Sequence, residues 1–366
     1  MPNKPVSRRS FMAAASSVPA VAANRQAVVV PPVLLSPPKP AQDALLIVTM
    51  YKFEPAEIAR IKAAAPKAQV NLVVCNSREE FHEKVKDAEV VYGDVRADTL
   101  QVAKNLQWVQ SGEAGMENMD AAMRQSPVVL TNYQRIFAPG ISETAMGLLL
   151  SLTRGIAKYY MPQFYQKRTM QHVGTAKSAH HTELVGRTMG IVGMGGIGTA
   201  LARRAHYGFD MRIVATDAKP IPKPDCVAEL HDPGWFMEMV PQVDVLVGAA
   251  PLTPQTERMF NEQVFRGMKK SAHFLAMSRG KLYDDMALVR ALKEGWIAGA
   301  GLDVFPIEPP PPDHPIFDCP NVVMSAHTSG WSPDRQVRVI DLFAENVRRY
   351  TEGLPLLNVV DKQRGY

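Results

Sequence analysis

The 366-residue sequence has little of what marks a specialised chain. It holds three cysteines, Cys75, Cys226 and Cys319, an odd number with no C-x-x-C spacing. That excludes a readable disulfide framework or structural zinc pattern. No H-E-x-x-H occurs, so no metal site is expected; His180-His181 reads as a polar loop. No apolar run reaches the roughly 18 residues that a spanning helix needs, so no membrane anchor is expected. Charge of one sign is scarce as well. The formal charge is +5, from 41 Lys+Arg against 36 Asp+Glu. Three of the cations, Lys4, Arg8 and Arg9, fall within the acid-free first 23 residues. Setting that stretch aside leaves +2 and no dense basic run, so nucleic acid is not an expected partner.

What remains is an ordinary globular composition, 46% hydrophobic and 21% charged, on a chain long enough for two domains. The segment Ser7-Arg8-Arg9-Ser10-Phe11-Met12, a mild apolar stretch and Ala20-Val21-Ala22 together resemble a twin-arginine export signal over residues 1–23. The expectation is an exported, periplasmic protein, with a cytoplasmic one as the alternative. A linker at 24–43 follows, with Pro31-Pro32 and Pro37-Pro38-Lys39-Pro40 favouring extended backbone over a packed element.

From Ala44 onward, short β-rich runs alternate with helical ones. Leu45–Val48, Val70–Val74, Val90–Tyr92, Trp108–Gln110 and Val128–Leu130 read as strands of a first α/β unit. An apolar helix is expected over Ile141–Tyr160. A second alternating series starts at Thr188 and runs through Val322–Ser325, followed by a helix over Asp334–Tyr350. The fold expected is α/β with two doubly wound parallel-sheet lobes. A Rossmann nucleotide-binding domain at 146–334 is inserted into a flavodoxin-like substrate domain formed by 44–145 and 335–366.

Gly193-Met194-Gly195-Gly196-Ile197-Gly198 follows an expected strand and opens an expected helix, the setting a dinucleotide-binding glycine motif requires. Asp217 stands at the end of the next strand, where a carboxylate accepts hydrogen bonds from the ribose hydroxyls of NAD and repels the extra phosphate of NADP. Arg279, Glu308 and His327 each follow an expected strand of the second series. Reduction of a 2-keto acid needs these types. A guanidinium grips the carboxylate, an imidazolium gives a proton to the carbonyl oxygen, and a carboxylate orients and stabilises the imidazolium.

Together with Pro251-Leu252-Thr253-Pro254-Gln255-Thr256, Ser278-Arg279-Gly280, Gly301-Leu302-Asp303-Val304-Phe305 through Glu308-Pro309 and Ala326-His327, these motifs resemble the D-isomer-specific 2-hydroxyacid dehydrogenase family. The likeness runs from about Ala44 onward and is strongest over Leu184–Ser329. It implies a nicotinamide-dependent oxidoreductase acting on a small 2-hydroxy or 2-keto acid with NAD as cofactor, in a homodimer. The catalytic set would fall on Arg279, Glu308 and His327. Nucleotide contacts would fall on Gly193, Gly195, Gly196, Ile197, Gly198, Asp217, Ala250, Pro251, Thr256, Met277, Ser278, Arg279 and Asp303, with Asp303 facing the nicotinamide amide and Thr144 near the nicotinamide end. Ala114 and Gly115 would offer backbone N–H groups to the substrate carboxylate beside Arg279. Two other readings remain at this stage, a non-catalytic NAD(H)-sensing regulator on the same fold and a dehydrogenase of a non-carboxylate substrate.

Overall fold

The computed structural model describes residues 44–169 and 181–366. The expected export signal, the linker and His180 lie outside them. The first lobe runs β1 (Ala44–Thr49), α1 (Pro55–Ala63), β2 (Gln69–Val74), α2 (Arg78–Lys84), β3 (Val90–Tyr92), α3 (Ala97–Val102), β4 (Trp108–Gln110), α4 (Ala121–Gln125) and β5 (Val129–Thr131). After α5 (Ala138–Thr153), the second lobe runs β6 (Thr188–Val192), α6 (Gly196–Phe209), β7 (Arg212–Thr216), β8 (Glu229–His231), α7 (Phe236–Met239), β9 (Val245–Gly248), α8 (Glu262–Gly267), β10 (His273–Ala276), α9 (Asp285–Lys293), β11 (Gly299–Leu302) and β12 (Val322–Met324). Helix α10 (Pro333–Thr351) follows.

Both sheets are parallel throughout. The first has the order β2-β1-β3-β4-β5 and the second β12-β11-β10-β9-β6-β7-β8. Central strands such as β9 (Val-Leu-Val-Gly) and β10 (His-Phe-Leu-Ala) are buried along their whole length, which is why they read as continuous apolar runs. Strand order reverses at β1/β3 in one sheet and at β6/β9 in the other, and the crevice beyond the carboxyl ends at such points is where ligands bind.

Two helices carry the chain between lobes. Helix α5 lays Ala145, Leu148 and Leu149 into the second lobe's core. Helix α10, capped by Ser332 accepting from the Arg335 N–H, returns Ile340, Phe343 and Val347 to the first lobe's core. The crossovers touch closely, since a β-carbon on Gly140 would come within 2.6 Å of the Ser329 carbonyl oxygen. Leu356 and Val360 then pack on the first lobe.

The structure shifts one expected helix and adds one strand that the sequence did not reveal. The helix expected over Ile141–Tyr160 starts at Ala138 and ends at Thr153, because Gly155 takes a left-handed φ of 66° and two short π-helical turns follow. The lobe boundary expected at residue 145/146 lies within this helix, which carries the chain from one lobe to the other. Strand β8 at the sheet edge has a half-exposed Glu-Leu-His sequence and no strand-like pattern.

His273 opens β10 and is buried. Burial alone drives its imidazole from 6.5 down to about 4. The unfolded chain binds that proton near pH 6.5 while the folded chain does not. The stability linked to this residue is therefore complete above pH 6.5 and declines as the pH falls toward 4. Urea denaturation of His273→Gln should show a flatter loss of stability over that window than the parent; an equally steep decline would exclude His273 as its source.

Candidate active site

The loop after β12 is built around Asp303, which is 1% exposed. One carboxylate oxygen accepts from Ser325 Oγ at 2.7 Å and from the backbone N–H groups of Thr328 and Ser329 at 3.2 and 3.3 Å. The other accepts from Ser329 Oγ. The Asp303 carbonyl also accepts the His327 N–H at 2.8 Å. Gripped on both sides, His327 is held at φ 54°, a left-handed conformation that is costly for a side chain of this size.

In that pose His327 Nδ1 lies 2.7 Å from Glu308 Oε2. The second Glu308 oxygen accepts from the Phe305 N–H at 2.9 Å, so the carboxylate cannot rotate freely. The pair remains wet, with side chains 43% and 37% exposed.

Arg279 follows β10. Its Nε donates to Glu117 Oε1 at 2.5 Å and its Nη1 to the Ser278 carbonyl at 2.8 Å. Gly115 lies directly beneath it, and a β-carbon there would collide with the guanidinium. Asn132 Nδ2 donates to the Ala114 carbonyl at 2.7 Å and fixes the same loop. Among the described residues, no hydrogen bond or ion pair joins Arg279 to Glu308 or His327. They are linked through packing: Gly280 presses on Phe305, whose N–H holds Glu308, and no side chain fits between them.

Two cavities flank this centre. One of about 740 Å³ belongs to the first lobe and is lined by Arg279, Gly115, Tyr51, Arg78, His82 and Arg96 among others. The second, about 1060 Å³, is lined by Gly193, Met194, Gly195, Asp217, Ala250, Pro251 and Thr256. Met116 and Glu117 line both, so the cavities meet at that loop.

The second cavity has the build of a dinucleotide cradle. Gly193 sits at φ 95°, and a β-carbon on it would come within 2.7 Å of the Ala250 backbone. Gly198 has no room for a side chain against the Gly193 carbonyl, so α6 starts directly behind the loop with its N–H groups toward the cavity mouth. Asp217 accepts from the N–H groups of Met194 and Lys219, each at 2.7 Å. Thr256 Oγ1 donates to the Pro251 carbonyl at 2.7 Å and shapes the segment between them. Ser278 is buried and donates to the Ala250 carbonyl at 2.8 Å.

Several expected contacts stand elsewhere. Gly196, Ile197 and Gly198 pack behind the cavity rather than lining it; Gly196 faces Arg135 and Ile197 joins the core. Buried Met277 and Ser278 support the cavity from below. Thr144 lies within α5 and is not among the residues lining this cavity. Asp303 is not among the residues lining this cavity, and both its oxygens accept hydrogen bonds from the His327 loop. Sequence reasoning missed Glu117, Arg135, Lys219 as a lining residue and the segment 363–366; for Glu117 the only signal was an acid two residues after Gly115.

Residues 146–329 match the model of the D-isomer specific 2-hydroxyacid dehydrogenase NAD-binding domain. The chain belongs to the D-isomer specific 2-hydroxyacid dehydrogenase family. It is 34% identical over 301 residues to a glyoxylate reductase of Korarchaeum cryptofilum, spanning 78% of this chain and 87% of that protein. It is 33% identical over 297 residues to a glyoxylate reductase of Pyrococcus furiosus, spanning 78% and 86%. A crystal structure of a family member from Aeromonas salmonicida superimposes with a TM-score of 0.70 at 28% identity, covering 88% of this chain and 99% of that one. The fit of the glycine cradle, cavity and Asp217 to a nicotinamide dinucleotide agrees with this membership.

Asp303→Ala would leave buried N–H donors without acceptors, at a cost of about 1–3 kcal/mol. It should also release His327 from its pose, so that kcat falls while affinity for the dinucleotide is kept. Chemical denaturation and cofactor titration of the variant check both parts; a stable variant with full kcat would refute the anchoring role.

Proposed function

We propose that this enzyme is an NAD(H)-dependent reductase of short 2-keto acids, with Arg279, Glu308 and His327 as its catalytic set. The carrying observation is the Glu308–His327 pair at 2.7 Å, held in a strained pose beside an arginine poised over a glycine loop. Nicotinamide, when bound, supplies or takes the hydride. The protein's own work is the rest. Arg279 gives up its single Nε hydrogen bond to Glu117 and binds the substrate carboxylate through two parallel hydrogen bonds. The Gly115 loop offers its backbone at the same place. His327, protonated, donates to the carbonyl oxygen as that oxygen becomes an alcohol, and takes the proton back in the reverse direction. Glu308 keeps Nδ1 engaged, leaving the other ring nitrogen for substrate. Closure of the lobes over the exposed pair would exclude water.

The relatives named glyoxylate reductase make glyoxylate the first substrate to test, and Asp217 favours NADH over NADPH. A complete catalytic set argues against a purely regulatory protein, and Arg279 over Gly115 argues against a substrate lacking a carboxylate. Purified enzyme with NADH should reduce glyoxylate, hydroxypyruvate or pyruvate, as followed by nicotinamide absorbance. His327→Asn should lower kcat by roughly 10²–10⁴-fold. Arg279→Ala should act mainly on KM for the keto acid. Intact turnover in both variants would overturn the assignment.

The same proposal includes export through the twin-arginine route, on the strength of Arg8-Arg9, Phe11 and the Ala20-Val21-Ala22 site. That route carries folded proteins, so the cofactor would travel already bound. It also includes a homodimer, supported by the exposed Ile156, Met161, Phe164 and Tyr165 along one stretch. N-terminal sequencing of native protein should begin near residue 23–24, and sedimentation equilibrium should give twice the mature mass; an intact Met1 would refute export and a monomer the dimer.

A further inference from the structure

Residues beyond β5's partner segment do something the fold does not require. After an antiparallel bridge between Thr131 and Val359, the chain turns at Asp361, whose carboxylate accepts from the Gln363 and Arg364 N–H groups at 3.1 and 3.0 Å. Lys362 is driven into the first lobe, its ammonium donating to the carbonyls of Met123 and Val128 at 3.1 and 2.9 Å and to that of Ser126. Arg124 grips the Lys362 carbonyl from outside at 2.6 Å. So firmly anchored, the next residues cross to the second lobe. Gln363, Arg364, Gly365 and Tyr366 line the dinucleotide cavity, on the side of Asp217 and Lys219. Lys219 Nζ sits 4.2 Å from the centre of the Tyr366 ring and 3.4 Å from its backbone oxygen.

We propose that residues 361–366 form a strap over the adenosine half of the cofactor site, with Tyr366 as an aromatic platform for the base and Arg364 and Lys219 as flanking cations for the phosphate-bearing ribose moiety. Three observations converge. The strap is anchored on one lobe and lands on the other, beside the carboxylate expected at the adenosine ribose. A planar ring held by a cation–π contact is pre-organised for stacking, so little is lost in ordering it when a base arrives. The half-buried Lys219 has its ammonium disfavoured by burial and then by Arg364, a pairing of like charges that an anionic ligand would relieve. The strap bridges both lobes, so it favours retention of the cofactor more than its capture. This rests on the dinucleotide reading of the cavity.

Calorimetric titration of the purified protein with ADP-ribose, and separately with nicotinamide mononucleotide, tests it. Tyr366→Ala should weaken ADP-ribose roughly tenfold while leaving nicotinamide mononucleotide unchanged. Arg364→Ala, which removes an exposed side chain paired at 3.5 Å with Asp361, should weaken ADP-ribose in the same direction and guards against a folding defect in the first variant. If the parent binds neither ligand, the dinucleotide reading itself fails. If the parent binds ADP-ribose and both variants bind it equally well, the strap proposal alone is overturned.

Discussion

A single buried carboxylate organises the chemistry of this enzyme. Asp303 spends both oxygens on the turn at 325–329, and its carbonyl takes the His327 N–H as well. A buried charge with several donors is costly to disturb, because removing it strands every donor at once. That cost is what holds His327 in a left-handed conformation it would not choose, and the conformation is what aims its ring at Glu308. The acid–base pair is thus set by the buried residue that holds its loop.

The remaining parts are brought in by topology. Arg279 emerges from the carboxyl end of β10, Glu308 follows β11 and His327 follows β12, three neighbouring parallel strands. The glycine loop follows β6, at the point where strand order reverses. The facing wall belongs to the other lobe, where Gly115 leaves space for the guanidinium and Glu117 occupies it. Glu117 thereby holds Arg279 extended into the first-lobe cavity, beside the loop where the two cavities meet. Helix α5 at Gly140 touches the loop ahead of α10 at Ser329, two residues beyond His327, so relative movement of the lobes is felt next to the catalytic pair.

Much of this was legible in the residues. Alternating β-rich and helical runs marked two parallel α/β units, because parallel strands are buried on both faces and must be apolar throughout. The glycine spacing marked the cradle, because only glycine tolerates Gly193's backbone angle and its contact with Ala250. Where reading fell short, one reason was a backbone turn and the other was nonlocal. Helix α5 was misplaced because Gly155's left-handed turn, not apolar content, ends it. Asp303 was named as a nucleotide contact through the family resemblance alone, and its role in anchoring the His327 loop was not legible because its partners lie more than twenty residues away.

The sequence by itself determined the chemistry available: a phosphate-binding glycine turn, an acid after the second strand, and an arginine, a glutamate and a histidine in series. These are local patterns, set by backbone geometry and side-chain type within a few residues. Tertiary structure alone decided which groups meet. It paired Arg279 with Glu117, separated by 162 residues, and carried Tyr366 to Lys219, separated by 147. Such contacts depend on how two lobes and a returning segment close on one another, and no periodicity along the chain encodes that closure.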